Sequence, residues 1–454
     1  MGKKLMLAVA MLALVAAPAF ASVQNVKVSG ALTTTSIIRN NFSSTQIGQV
    51  NNVNEILGQT SLDVSADLTD NVSTKIGLLN ERFWGATKTD TTSSGNAVQL
   101  ETAYVQMKEL LYSPLTLTVG RQPLVYGNQF IIGSNGNVTN AGKAWGDVTQ
   151  EGNFDAIKAV LSYDPLTVDL LASRIDNQNN ATVKDNVNLY GINANYKFGD
   201  KMSTVVEAYA FAKIDDKSTV ASNPGNSVKT QTTYVPGLRV STNPIEGLNV
   251  QLEGAYEAGK IYNVTTTPAG NQPSQTRSAY ALQGSVNYAL PVLKSVKPVI
   301  SGGYTYLSGD TKNGVGGAGT QKLGRNWDPL YKNQNIGRIF HAAGLDSTNS
   351  QLVTVSGELV PVQDVTTKLS WNGLWLAEKY AYVGVGGNAA IVNSSKYLGS
   401  EIDLDVTYAY TEDVKFGVSA GSFLTGKTSP VANITGSARN QNATQLLTSV
   451  AVAF

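Results

Sequence analysis

A chain of 454 residues with 34 basic and 33 acidic side chains carries a formal charge of only +1, and this balance argues against a nucleic-acid partner. The sequence contains no cysteine, so outside the cytoplasm its stability would not depend on disulfides. Beyond the N-terminal segment no run of about 18 apolar residues occurs, which excludes a polytopic helical membrane protein.

The N-terminal segment has the pattern of a secretory signal peptide. Lys3 and Lys4 precede an apolar run from Leu5 to Ala17, and Ala19-Phe20-Ala21 supplies the small residues of a cleavage site. A membrane anchor is the alternative, and it is disfavoured because the run is too short to span a bilayer. We therefore predict a signal peptide at residues 1–21 and export of a mature chain beginning at Ser22.

Residues 22–454 repeat one pattern, in which alternating segments are joined in turn by a tight polar turn and by a longer polar loop. The predicted tight turns lie at Thr69 to Asn71, Tyr112 to Pro114, Tyr163 to Pro165, Gly199 to Lys201, Asn243-Pro244, Pro291 to Ser295, Pro361 to Asp364 and Thr411-Glu412. Short turns at one edge and long loops at the other are typical of outer-membrane barrels. Counting the segments gives about eighteen strands, an even number that puts both chain ends in the periplasm. We predict one all-β domain, a transmembrane antiparallel β-barrel.

The clearest transmembrane hairpin runs from Leu398 to Leu424. Apolar Ile402, Leu404 and Val406 alternate with Glu401, Asp403 and Asp405, a period of two that gives each strand an apolar face and a polar face. The alternating segments run to about ten residues, the length that a tilted strand needs to cross a bilayer. The pattern predicts one face toward lipid and the other toward a water-filled lumen.

Several short motifs follow one another along the predicted barrel: Gly120-Arg121-Gln122 with Tyr126-Gly127, Asn153 to Ala156, Gly237-Leu238-Arg239, Glu253 to Tyr256, Tyr304 with Ser308-Gly309-Asp310, Asp328 to Tyr331, and Leu398 to Leu404. In this order they resemble the alginate export family of outer-membrane porins, and the resemblance covers most of the predicted barrel. The resemblance implies an eighteen-stranded channel in the bacterial outer membrane that passes polysaccharide or small solutes by passive diffusion.

Strand parity places charged side chains of both signs inside the barrel. The pore-lining candidates are Lys158, Arg239, Glu253, Glu257, Glu358, Lys368, Glu401, Asp403, Asp405 and Lys415. Such a lumen is mixed, whereas a conduit for a polyuronate would present mainly Arg and Lys. We expect Asp403 and Asp405 to pair with Lys368 or Lys415, and we expect weak selectivity that slightly favours cations.

The longest predicted loop, Thr311 to Asn349, is too rich in apolar and aromatic residues for a simple solvated loop. We predict that it folds inward or over the mouth and narrows the pore. A lid without selectivity is the alternative. Candidate residues at the mouth or the constriction are Arg121, Trp327, Asp328 and Tyr331.

The sequence offers little for catalysis or for a cofactor. Its single histidine, His341, lies in a predicted loop, where a packing role is more common than a catalytic one. We therefore predict no enzyme activity, no metal site and no cofactor. A barrel without a through-pore, acting as an enzyme or an adhesin, is the second hypothesis.

The last predicted strand, Thr444 to Phe454, ends in an aromatic residue after an alternating segment. This resembles the signal by which the barrel-assembly machinery recognises its clients. The predicted partners are that machinery, outer-membrane lipids, and a solute or polysaccharide substrate.

Overall fold

The chain forms a single closed barrel of antiparallel strands in a computed structural model. The structure describes residues 23–43, 46–47, 52–85, 98–134, 147–177, 186–216, 230–262, 274–310, 324–379, 381–382, 391–392, 395–426 and 442–454. The predicted signal peptide lies outside the described residues.

Eighteen strands make up the barrel, as the sequence predicted. They are β1 Gln24–Asn40, β2 Val53–Thr69, β3 Val72–Phe83, β4 Val98–Met107, β5 Leu115–Gln122, β6 Phe154–Tyr163, β7 Leu166–Asn177, β8 Asn186–Lys197, β9 Val205–Asp215, β10 Gln231–Ile245, β11 Leu248–Tyr262, β12 Ser274–Ala289, β13 Val299–Leu307, β14 Ser350–Val362, β15 Val365–Leu376, β16 Tyr397–Ala409, β17 Val414–Thr425 and β18 Ala443–Ala453. Each strand pairs with the next, and β1 closes the ring because Leu32 lies opposite both Thr60 of β2 and Val452 of β18. Closure leaves no strand edge unpaired.

Regular structure outside the barrel is short. Two-residue strands pair at Phe42–Ser43 with Gln46–Ile47 and at Ala381–Tyr382 with Ile391–Val392, and helix α1 spans Ile339–Ala342. Within the described ranges, none of the helical structure is long and apolar enough to cross a membrane.

The predicted two-faced hairpin is confirmed in β16 and β17. Ile402 and Leu404 are exposed on the outer face, whereas Glu401 and Asp403 point inward and are buried. Exposed aromatic residues lie on the outer face near both edges of the barrel, among them Tyr163, Tyr196, Tyr408 and Tyr410 near the short turns and Tyr190, Tyr234, Tyr256 and Tyr280 farther toward the long loops. This outer face suits a lipid environment with aromatic residues at its interfaces.

One predicted turn lies three residues later than its sequence pattern indicated. Strand β10 continues through Asn243-Pro244 to Ile245, and its pairing with β11 shifts between Thr242 and Ile245. The chain turns at Glu246-Gly247, where Gly247 has a φ of +79°. A Cβ on Gly247 would lie 2.5 Å from the carbonyl oxygen of Ala289, so glycine is required at this turn.

Candidate pore constriction

Two long loops enter the barrel from the edge opposite the short turns. The first inner loop comprises residues 123–153, described at 123–134 and 147–153, and the second comprises residues 308–349, described at 308–310 and 324–349. Their apolar side chains, including Leu124, Ile132, Trp327 and Phe340, are buried. They pack against inward-facing wall residues in two hydrophobic clusters. Because burial of apolar surface stabilises this arrangement, the loops occupy the lumen.

The two inner loops are joined to each other inside the barrel. Ile132 and Tyr331 form a parallel β-bridge, in which the N–H of Tyr331 donates to the carbonyl of Ile131 at 3.1 Å. Nearby, the rings of Phe130 and Trp327 stack with centroids 6.4 Å apart. The inward folding predicted for the longest loop is thus present, and two of its candidate residues, Trp327 and Tyr331, lie at the junction.

An ion pair to β9 and hydrogen bonds to β11 and β12 attach the second inner loop to the wall. The Lys213 ammonium lies 3.0 Å from the Asp328 carboxylate, and the N–H of Asp328 donates to Glu257 Oε2 at 3.1 Å. Glu257 in turn pairs with Arg277 at 3.0 Å. Burial opposes ionisation of Asp328, but Lys213 and Arg277 outweigh burial and hold its pKa below the ordinary value.

Helix α1 attaches the same loop to β16 by a different contact. The Glu401 carboxylate accepts hydrogen bonds from the backbone N–H groups of Arg338, Ile339 and Phe340, the last two at 2.7 and 2.9 Å. A carboxylate at the start of a helix satisfies N–H groups that have no partner within the helix. The Phe340 ring also meets Phe423 of β17 edge to face at 5.3 Å.

An internal brace follows α1 within the second inner loop. The buried Asp346 carboxylate lies 2.8 Å from Lys332 Nζ and 3.0 Å from His341 Nδ1. Burial opposes ionisation of Asp346, but Lys332 and His341 outweigh it and lower the pKa to about 2. The single histidine of the chain therefore contacts a structural carboxylate inside the loop.

The first inner loop is attached to the wall at both of its ends. The N–H of Gly127 donates to Glu207 Oε1 at 3.1 Å, and Glu207 pairs with Arg239 at 3.2 Å. Gly127 has a φ of +53°, and a Cβ there would lie 2.9 Å from Arg239 Cδ. At the far end, the N–H of Gly152 donates to Glu101 of β4 at 3.0 Å.

The structure separates the predicted pore-lining residues into those that are buried or half-buried and those that are exposed. Glu253, Glu257, Glu401 and Asp403 are buried, and Lys158, Arg239 and Asp405 are half-buried. By contrast, Glu358, Lys368 and Lys415 are exposed, and Lys368 lies between Glu358 and Asp405 in the strand register.

Two expected contacts differ in the structure. Asp405 pairs with Arg338 of the second inner loop at 2.9 Å, not with Lys368 or Lys415, because the infolded loop brings this arginine close. Asp403 accepts a hydrogen bond from Asn372 at 3.0 Å. Arg121, a candidate for the mouth or the constriction, lies near the long-loop edge on the outer face, 3.5 Å from Asp155.

The sequence indicated a long loop within residues 123–153 but did not predict that it folds inward. The apolar run Phe130-Ile131-Ile132 within a long loop could have indicated that this loop is buried, since such a run seldom remains in solvent. Sequence reasoning also overlooked Arg338, whose position depends on contacts with a strand about sixty residues away in sequence.

Sequence comparison places this architecture in a family. The sequence model of the alginate export family matches residues 34–443. The chain belongs to the alginate export family. It is an outer-membrane channel protein of bacteria, and its barrel is surrounded by lipid. A comparison with curated protein sequences found no match.

Solved porin structures share the fold of this alginate export family member. OccK3 (OpdO) of Pseudomonas aeruginosa aligns with a TM-score of 0.56 at 10% identity, over 96% of this chain and 97% of that chain. OccK11 (OpdR) of the same species gives 0.53 at 12% identity over 94% and 96%. OccAB1 of Acinetobacter baumannii gives 0.53 at 10% identity over 95% and 97%. At these identities the likeness shows the barrel fold alone.

Proposed function

We propose that the channel passes small polar solutes by passive diffusion and that the two inner loops form its narrowest section. The observation that carries this proposal is the junction of the loops inside the barrel at Ile132 and Tyr331. From this junction the loops reach well-separated parts of the wall, at Glu101 of β4, Glu257 of β11 and Glu401 of β16. Enlarging the passage for a polymer would require these buried contacts to break, so small solutes fit this geometry better.

Weak charge selectivity follows from the same contacts. Glu257 and Glu401, which would otherwise bias the lumen toward cations, are occupied by Arg277 and by the backbone of α1. Lumen-facing charges at Glu358, Lys368 and Lys415 are exposed and of mixed sign. Opposite charges placed close together largely cancel the field that would select one ion.

A channel role is favoured over an enzymatic one. The imidazole of His341 lies 3.0 Å from Asp346, which also pairs with Lys332 at 2.8 Å, and this arrangement supports folding of the second inner loop. The family to which the chain belongs consists of channel proteins. An adhesin or enzyme without a through-pore remains the competing function.

We also propose how the chain is processed and assembled. Cleavage after residue 21 would release the barrel of residues 22–454. The barrel-assembly machinery would then recognise β18, whose outer face presents exposed Leu446, Val450 and Phe454.

Liposome swelling with a series of sugars of increasing size tests the channel function. We expect monosaccharides to enter faster than trisaccharides, and we expect deletion of Gly314 to Phe340 to remove much of this difference. Deletion of Ser218 to Lys229, between β9 and β10, is the control and should preserve it. Equal entry of a charged oligouronate would favour a polysaccharide substrate, and absence of swelling with every sugar would favour a barrel without a through-pore.

A further inference from the structure

A groove runs along the outer wall of the barrel across strands β6 to β9. Small side chains at Ala172, Ala210 and Ala212 lie opposite the larger Tyr190 and Ile192 in the strand register and leave space beside them. The groove, which also includes Ala159, has a volume of about 470 Å³. Tyr190 and Ile192 are exposed on the outer face, so the groove opens toward the lipid. Its volume and apolar lining suit a hydrocarbon chain.

A row of charged residues crosses the long-loop end of this groove. Arg121, Asp155 and Arg174 are register neighbours on β5, β6 and β7. Asp155 and Arg174 are exposed, and Arg121 is half-buried, with its guanidinium 3.5 Å from Asp155 and 3.9 Å from Glu101. Arg174 and Ala172 are two residues apart and share the outer face of β7, so the row lies about 7 Å along the strand from the groove.

The position of the row along the strands indicates its depth in the membrane. Charged side chains on the outer face of a barrel are costly at the middle of the bilayer and become tolerable near the interface. Arg174 lies three residues before the end of β7 at Asn177, at the edge opposite the short turns. The row therefore faces the headgroups of the outer leaflet.

We propose that the row and the groove together bind one phosphorylated, multiply acylated glycolipid of the outer leaflet, the lipid A type. The phosphate lies against Arg174 and Arg121, because a guanidinium can donate two parallel hydrogen bonds to a phosphate. One acyl chain lies in the groove over Ala172, alongside Tyr190. Asp155 competes with the phosphate for Arg121, so Arg174 supplies the stronger contact.

Native mass spectrometry of the detergent-purified barrel with added diphosphorylated lipid A tests this site. Because a hydrogen bond to a charged group is worth about 1.5–3 kcal/mol, we expect Arg174→Ala to weaken lipid A binding about tenfold or more. Ala172→Phe fills the groove and should weaken binding by a similar factor. Asp155→Asn removes the nearer of the two carboxylates that face Arg121 and should strengthen binding.

Two matched variants separate this site from general effects on the barrel. Arg82→Ala removes another exposed outer-face arginine, beside Thr60 and Asn80 rather than the groove, and Ala208→Phe places the same bulk on β9 outside the groove. Both should bind lipid A as the natural protein does. The proposal is overturned if Arg174→Ala and Ala172→Phe bind lipid A unchanged, or if dephosphorylated lipid A binds equally well. It is also overturned if ultracentrifugation shows that Ala172→Phe converts an oligomer to a monomer, since a second copy of the chain then occupies the groove.

Discussion

The second inner loop is held to the barrel wall at two regions that neutralise a buried glutamate in different ways. At β11, Glu257 faces the Arg277 guanidinium at 3.0 Å and one backbone N–H. At β16, Glu401 faces three backbone N–H groups of the α1 segment. A cation balances charge over a range of positions, whereas converging N–H groups hold the backbone in one place. The β16 region therefore positions the loop, and the β11 region mainly balances charge.

Removing the carboxylate at β16 should have the largest effect. Glu401→Ala leaves three N–H groups without their acceptor, and we expect loop attachment to weaken by on the order of 4 kcal/mol, because a buried unpaired donor costs about 1–3 kcal/mol. Limited proteolysis of the loop and single-channel noise would both report the release. Glu401→Gln keeps one acceptor oxygen and should have a smaller effect.

The exposed Glu358 provides the control for this change, because Glu358→Ala removes a lumen carboxylate that lies outside the α1 contact. If Glu401→Ala and Glu358→Ala are cleaved at the same rate, α1 is held by its apolar contacts alone.

Removing the cation that pairs with Glu257 of β11 should have the next largest effect. Arg277→Met leaves the fully buried Glu257 without its charged partner, and we expect attachment to weaken by on the order of 3 kcal/mol. Adding Glu257→Gln to this variant removes the uncompensated charge and should restore part of the loss. A double variant that is proteolysed faster than Arg277→Met would contradict a role in charge balance.

The brace at Asp346 should make loop closure sensitive to acid. Its pKa is about 2 in the closed loop, whereas a solvated aspartate has a pKa near 3.9. Because folding lowers this pKa, the stabilisation, on the order of 2 kcal/mol, is complete above about pH 4 and is lost as the pH falls toward 2. Channel noise measured across this range should rise in the natural protein.

Asp346→Asn tests the source of this pH dependence. The variant lacks the titrating carboxyl and should show raised noise with little change between pH 4 and pH 2. Asp364→Asn, in an exposed short turn, should behave as the natural protein. An unchanged acid response in Asp346→Asn would assign the effect to another group.

The smallest effect is expected at Lys368, an exposed lumen charge that lies beside Asp405 in the strand register. Lys368→Gln should shift the cation-to-anion permeability ratio roughly twofold toward cations, since exposed charges interact by only about 0.2–1 kcal/mol. Reversal potentials in a salt gradient measure this ratio, with Lys201→Gln in a short turn as control. A strong shift would mean that Lys368 lies at the narrowest point.

Much of the barrel could be predicted because strand parity is a local property. In β16, the alternation of Ile402 and Leu404 with Glu401 and Asp403 specifies which side chains face inward. The sequence placed the turn after β10 at Asn243-Pro244 instead of at Gly247, because a proline at position 244 also suits a turn. Only the register with β11 and the approach of Ala289 distinguish these two positions.

The candidate constriction was predicted only in part. The aromatic content of residues 324–349 indicated an inward loop, and Trp327 and Tyr331 do lie at the loop junction. Their partners Phe130 and Ile132 are about two hundred residues away in sequence, and no local pattern pairs such distant segments. The same distance conceals the contact between Arg338 and Asp405.

The sequence by itself determined the antiparallel barrel, its two faces and the side of the wall on which each carboxylate lies, because these follow from a period of two along each strand. Only the tertiary structure decided which inward carboxylates still face water. Glu257 and Glu401 are covered by an infolded loop, whereas Glu358 is exposed. Parity gives the direction of a side chain, but its solvation depends on what the rest of the chain places against it.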